Sequence, residues 1–125
     1  MPLLAPISVG ELIDKITILE IKEERITDES KRVNVQDELK ALRSIEILNI
    51  PTDLVDELRE VNRSLWDIED AIREKERMSE FDEKFVELAR SVYFTNDRRS
   101  RIKRSINEIS GSDLIEEKSY NDPSV

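Results

Sequence analysis

Apolar residues recur along this chain at spacings of three and four, the interval that lines one face of an α-helix. The longest such pattern runs through Leu54, Leu58, Val61, Leu65, Ile68 and Ile72 without an exception. A second pattern, Phe81, Phe85, Leu88, Val92, Thr95, Arg99, Ile102, Ile106 and Ile109, keeps the alternation but has Thr95 and Arg99 at seam positions. Thr52 can cap the first of these helices, which runs to about Arg77, and Gly111 ends the second as a C-terminal cap. Only residues 78–80 separate the two, so they must fold back as an antiparallel hairpin roughly 40 Å long. With the turn centred near Ser79, Trp66 comes opposite Val92, Leu58 comes near Arg99, and Asn62 comes near Asn96.

Upstream, Ser8-Val9-Gly10-Glu11 is a capping-box pattern, so a first helix starts at Ser8 or Val9. Its apolar positions Val9, Leu12, Ile13, Ile16 and Leu19 are widened by Ile18 and Ile21 and closed by Ile26. A face this broad predicts contact with more than one neighbouring helix. Residues 26–33 are polar and aperiodic. Asn34, with Asp37 three residues on, predicts the start of a second helix carrying Leu39, Leu42, Ile45 and Leu48, which Asn49-Ile50-Pro51 ends. The expectation is an all-α, bundle-like protein of four helices, the last two forming the hairpin. One helical domain spans residues 1–118, and 119–125 form a flexible tail. A two-helix hairpin exposes both flanks of its seam, so the first two helices, or a second copy of the chain, must cover it.

Composition narrows the chemistry. The 125 residues suit one domain, and 39% charged residues with only two glycines and four prolines leave no room for a sandwich or barrel. There is no cysteine and no histidine, which excludes disulfides, ordinary zinc sites, thiol nucleophiles and imidazole triads. An enzyme made from this chain would depend on carboxylates, Lys, Arg, Tyr or a metal held by oxygen. The sequence calls for no cofactor and no metal, and favours a non-enzymatic role. Residues 1–6 have no basic leader and are broken by Pro2 and Pro6, and no run approaches the roughly 20 apolar residues of a membrane span. The expected setting is cytoplasmic.

The net charge of −9 is unevenly placed: residues 90–104 carry +5, leaving −14 for the rest. The overall acidity disfavours nucleic acid, whose phosphates need clustered cations. Asn96, Arg99 and Lys103 share one helical face. Together with Tyr93, Asp97, Arg98 and, on the facing helix, Asn62, they are the candidate ligand-binding residues, suited to an anionic small molecule or an acidic protein segment. Packing offers another account: Arg99 pairs with an acid on the third or first helix, and Asn62 with Asn96 sets the register of the hairpin. Residues 113–122 carry −3 and are a natural partner for the basic run, on the same chain or a neighbour's, with Leu114 and Ile115 as anchors. Glu20, Glu23 and Glu24, with Asp67, Glu69 and Asp70, resemble the magnesium-holding acids of helical nucleotide pyrophosphatases. Their alternation with Lys22, Arg25 and Arg73 reads more simply as intrahelical ion pairs on a wet face. Glu11-Leu12-Ile13-Asp14-Lys15 resembles the first helix of the all-helical chorismate mutases, over that helix only.

A resemblance of wider extent rests on residues 7–22, on Leu65-Trp66-Asp67-Ile68-Glu69, and on Ala89-Arg90-Ser91-Val92-Tyr93 with Asn96-Asp97-Arg98-Arg99. It continues in Ile102-Lys103-Arg104-Ser105-Ile106-Asn107 and Glu116-Glu117-Lys118-Ser119-Tyr120. These motifs resemble a small uncharacterised bacterial family, a domain of unknown function. The resemblance implies no established activity, and it implies an accessory place beside surface-polysaccharide or glycosyltransferase functions. The expected role is a helical interaction or assembly module acting as a homodimer, with an anionic-ligand binder or histidine-independent enzyme built on residues 96–103 as the alternative.

Overall fold

In the computed structural model, which describes residues 2–119, the described residues form α1 (Val9–Arg25), α2 (Glu29–Arg43), α3 (Thr52–Arg77) and α4 (Glu83–Ser110), with no strand. The expected tail 119–125 lies, beyond Ser119, outside the described residues. Ser8 caps α1, its Oγ accepting from the Glu11 amide at 3.1 Å. Pro51 stands at the N-cap of α3 without a side-chain bond, so Thr52 opens the helix rather than capping it. At the far end Ser79 adopts a left-handed φ of 53°. The Glu80 amide reaches the Lys75 carbonyl (2.9 Å) and the Ser79 amide reaches that of Glu76 (3.1 Å), the bonding usually built on glycine at a helix C-terminus. Lys75 Nζ then holds Glu80 and Asp82, each at 3.0 Å, across the turn. Asp82 caps α4 by accepting from the Phe85 amide, which starts that helix two residues after Phe81; the Phe81 ring packs edge-on to Phe85. Gly111 closes α4 at φ 70°.

The hairpin is therefore as expected, and the second helix is not. It starts at Glu29, five residues ahead of Asn34, because Asp28 accepts from the Lys31 amide at 3.0 Å. It also stops at Arg43, leaving Ile45 and Leu48 in the following loop and exposed. Only Val35 and Leu39 of α2 are buried, and they join Leu19 of α1. Among the described residues α2 packs against α1 and no other helix.

α1 lies across the open end of the hairpin. Its contacts with α4 step backward, Gly10 to Asn107, Glu11 to Lys103 and Asp14 to Arg99, so it runs antiparallel to α4. Its ion pairs with α3 step forward, Glu20 to Arg59, Glu24 to Arg63 and Arg25 to Asp67. The main core, Ile13 with Leu58, Val61, Ile102 and Ile106, fills this three-helix junction. Beyond it the third layer is missing: from residue 63 through residue 96 no side chain is buried.

Candidate functional site

A cluster of buried polar groups sits in the junction beside the apolar core. Asp14 falls on the inner face of α1 between Ile13 and Thr17, and only 1% of its surface is exposed. A carboxylate there survives only if fully paired and hydrogen-bonded. Arg99 grips both of its oxygens, Nε to Oδ1 at 2.9 Å and Nη2 to Oδ2. Asn62 of α3 donates to the same Oδ1 at 3.0 Å and lies 2.9 Å from Thr17 Oγ1, while the Thr17 hydroxyl donates to the Asp14 carbonyl at 2.8 Å. Three helices thus converge on one carboxylate. The Asp14 bonds hold the Arg99 guanidinium above its ordinary range.

Lys103, one turn along α4, is also buried. Its Nζ lies 2.7 Å from Glu11, 3.4 Å from Glu116 and 3.9 Å from Asp14 Oδ2. One turn further, Asn107 accepts the Gly10 amide at 2.6 Å, and Ser112 Oγ accepts that of Val9 at 3.1 Å; both satisfy N–H groups that the start of α1 would otherwise leave unpaired. Residues 112–119 turn back along α4. Glu117 meets Arg104 Nη1 with both oxygens at 3.0 Å, and Glu116 is shared between Lys103 and Lys118. The Lys118 hydrogen bond, aided by the charge of Lys103, holds the Glu116 carboxyl below its ordinary value, so it is ionised at neutral pH.

The candidate residues are brought together only in part. Tyr93, Asn96, Asp97, Arg99 and Lys103 line one cleft of about 320 Å³, together with Ser100 and Lys118. Asn62 faces a different groove, of about 460 Å³, which it shares with Asn96, Arg99, Leu65, Trp66 and Arg73. Arg98 lines neither and stands exposed on the outer face of α4. The alternative account of Arg99 matches the structure, since its acid is Asp14 on the first helix. The Asn62–Asn96 register pair does not form: the Asn62 amide is turned toward Asp14 and Thr17, and the Asn96 side-chain oxygen accepts from Arg99 at 3.4 Å.

The partners of the cluster, Asp14, Thr17, Glu11 and Asn107, are what the sequence reading did not assemble. A signal was present. Arg99, Lys103 and Asn107 recur every four residues on α4, and Gly10, Asp14 and Thr17 recur at four and three on α1, so the two polar stripes face one another when the helices run antiparallel. Four of the six acids considered for magnesium sit, among the described residues, in ion pairs, mostly between helices rather than within one: Glu20 with Arg43 and Arg59, Glu24 with Arg63, Asp67 with Arg25, and Glu69 with Arg73. Among the described residues no group of three acids is placed to hold a metal ion. No helix among the described residues is long and apolar enough to cross a membrane.

Chemically, the inward cations are already neutralised from within, Arg99 by Asp14 and Lys103 by Glu11 and Glu116. The geometry defines an all-α protein whose third layer is locked to a helical hairpin by a buried charge cluster. The chain belongs to a family of unknown function, DUF6165, whose model matches residues 3–125. No curated protein and no solved structure matches it.

Proposed function

We propose that this protein is a non-enzymatic helical assembly module that works as a homodimer, the uncovered halves of two hairpins packing into a four-helix layer. The observation that carries this reading is the absence of any buried side chain over residues 63–96, although Leu65, Ile68, Ile72, Phe85, Leu88 and Val92 continue the apolar seam through that segment. The chain exposes 8720 Å² at a mass of 14.6 kDa, where a compact monomer of that mass exposes about 6,900 Å². The surplus of roughly 1,800 Å² is shared between the open hairpin and the exposed segments 2–7, 44–50 and 111–119, and a standard interface takes roughly 800 Å² from each partner. Light scattering on the purified protein is expected to give twice the 14.6 kDa chain mass. Leu88→Glu, at a half-exposed seam position far from the core, is expected to give a monomer with unchanged helical circular dichroism. A wild-type protein that stays monomeric at every concentration tested would end the reading. The same proposal includes a cytoplasmic setting and the accessory place beside polysaccharide or glycosyltransferase enzymes that the sequence resemblance implies.

A second reading, an anionic small-ligand binder, is favoured by one observation: the groove of about 460 Å³ lies at the level of Asn62 and Asn96, with Trp66, Arg73 and Arg99 in its walls beside Glu69 and Asp70. Ligands that bind only the folded state raise its thermal midpoint. Phosphate, nucleotides, nucleotide sugars and dicarboxylates are the panel to screen. This reading expects a saturable rise that Asn96→Ala removes; a flat panel counts against it.

A further inference from the structure

The basic stripe of α4 is already occupied by the chain's own acidic segment, and the way it is occupied is informative. Residues 112–119 carry no regular secondary structure. Beyond Ser112 they are held to α4 by charge: Glu116 on Lys103, and both oxygens of Glu117 on Arg104. Their two apolar side chains, Leu114 and Ile115, are only part-covered, 44% and 42% exposed. The segment does not seal against the helix. A cleft of about 220 Å³ stays open beneath it, walled by Ser100, Arg101, Arg104 and Asn107 on one side and by Glu116, Glu117 and Lys118 on the other.

We propose that this face of α4 is a docking site for an acidic, extended peptide segment of a partner protein, and that residues 112–119 are its resident, displaceable occupant. The chemistry that recognises the partner is the chemistry that holds the segment now, two adjacent carboxylates meeting Lys103 and Arg104. The segment's grip is exchangeable, because the Glu117–Arg104 pair is exposed and such pairs are weak singly, Lys103 keeps Glu11 when Glu116 leaves, and an intramolecular copy holds its place through high effective concentration. This inference goes beyond self-association and does not rest on it.

The test uses the full chain and a fluorescently labelled synthetic peptide with the sequence of residues 112–119. Glu116→Gln combined with Glu117→Gln weakens the resident copy at exposed positions, and circular dichroism confirms that the fold is kept. Anisotropy is expected to show the peptide binding this variant at least tenfold more tightly than wild type, with the affinity falling as salt rises. Adding Arg104→Glu to the variant is expected to remove the binding. Equal binding to wild type and variant, no binding to either, or binding that survives Arg104→Glu would overturn the proposal. A single-stranded oligonucleotide that binds the variant more tightly than the peptide would overturn it in favour of a nucleic-acid partner. Light scattering on the same samples reports the oligomeric state separately, so failure of the dimer and failure of the docking site are distinguishable.

Discussion

Asp14→Ala is expected to cost about 3–5 kcal/mol of stability, the range for removing one partner of a buried ion pair. The reason lies in what the carboxylate holds. Its loss strips Arg99 of both its principal acceptors and Asn62 of one; the Arg99 side chain, 27% exposed, recovers some bonding from water in the clefts it lines, but the buried Asn62 amide does not. Lys103 loses its more distant counter-charge at the same time. The damage spreads because Asp14 ties α1 to α3 and α4 together. Urea titration monitored by circular dichroism is the direct measurement, and the thermal midpoint is expected to fall by at least about 10 °C. Asp14→Asn keeps the shape and part of the hydrogen bonding, and should fall between the two. A loss under about 1 kcal/mol would place the pair with ordinary surface ion pairs and remove the cluster's claim to organise the junction.

Gly10→Ala is expected to destabilise by about 2 kcal/mol, against the direction helix propensity alone dictates. In an isolated helix the change would gain roughly 1 kcal/mol. Here α1 and α4 come together at this position, and an added Cβ would lie 2.6 Å from the Lys103 carbonyl oxygen and 2.9 Å from Asn107 Oδ1. The first of these is backbone and cannot swing aside, so the helices must separate, at the 1–3 kcal/mol typical of overpacking. Separation also stretches the Gly10 to Asn107 hydrogen bond. The same urea titration decides the sign: a stabilised Gly10→Ala variant would mean that the approach of α1 to α4 is looser than the structure has it.

The hairpin was legible because both of its helices carry a seam of unbroken alternation, apolar except at Thr95 and Arg99 of α4, and the link between them is too short for anything but a reversal. α2 was hard to place for the opposite reason. It buries only Val35 and Leu39, so its first turns have no apolar stripe, and its start is marked only by Asp28 among other charged residues. Within the candidate site, Arg99 was visible as a cation on an apolar seam. Its partner was hidden, because Asp14 sits in a broad stripe with Ile13 and Thr17, and an acid on a charged helix looks like one of many surface acids. Which stripe faces which depends on the direction of α1 across the hairpin, a tertiary property that no local pattern encodes.

Because α2 rests on α1 alone, its attachment is a branch rather than a strut. Nothing in the hairpin junction must break for α2 to lift away, and nothing in α2 must form for the junction to assemble. The chain therefore contains two units of unequal persistence. One is a hairpin locked to α1 by Asp14, whose opening requires charged groups to be exposed in concert. The other is a peripheral helix free to open and reclose on its own clock.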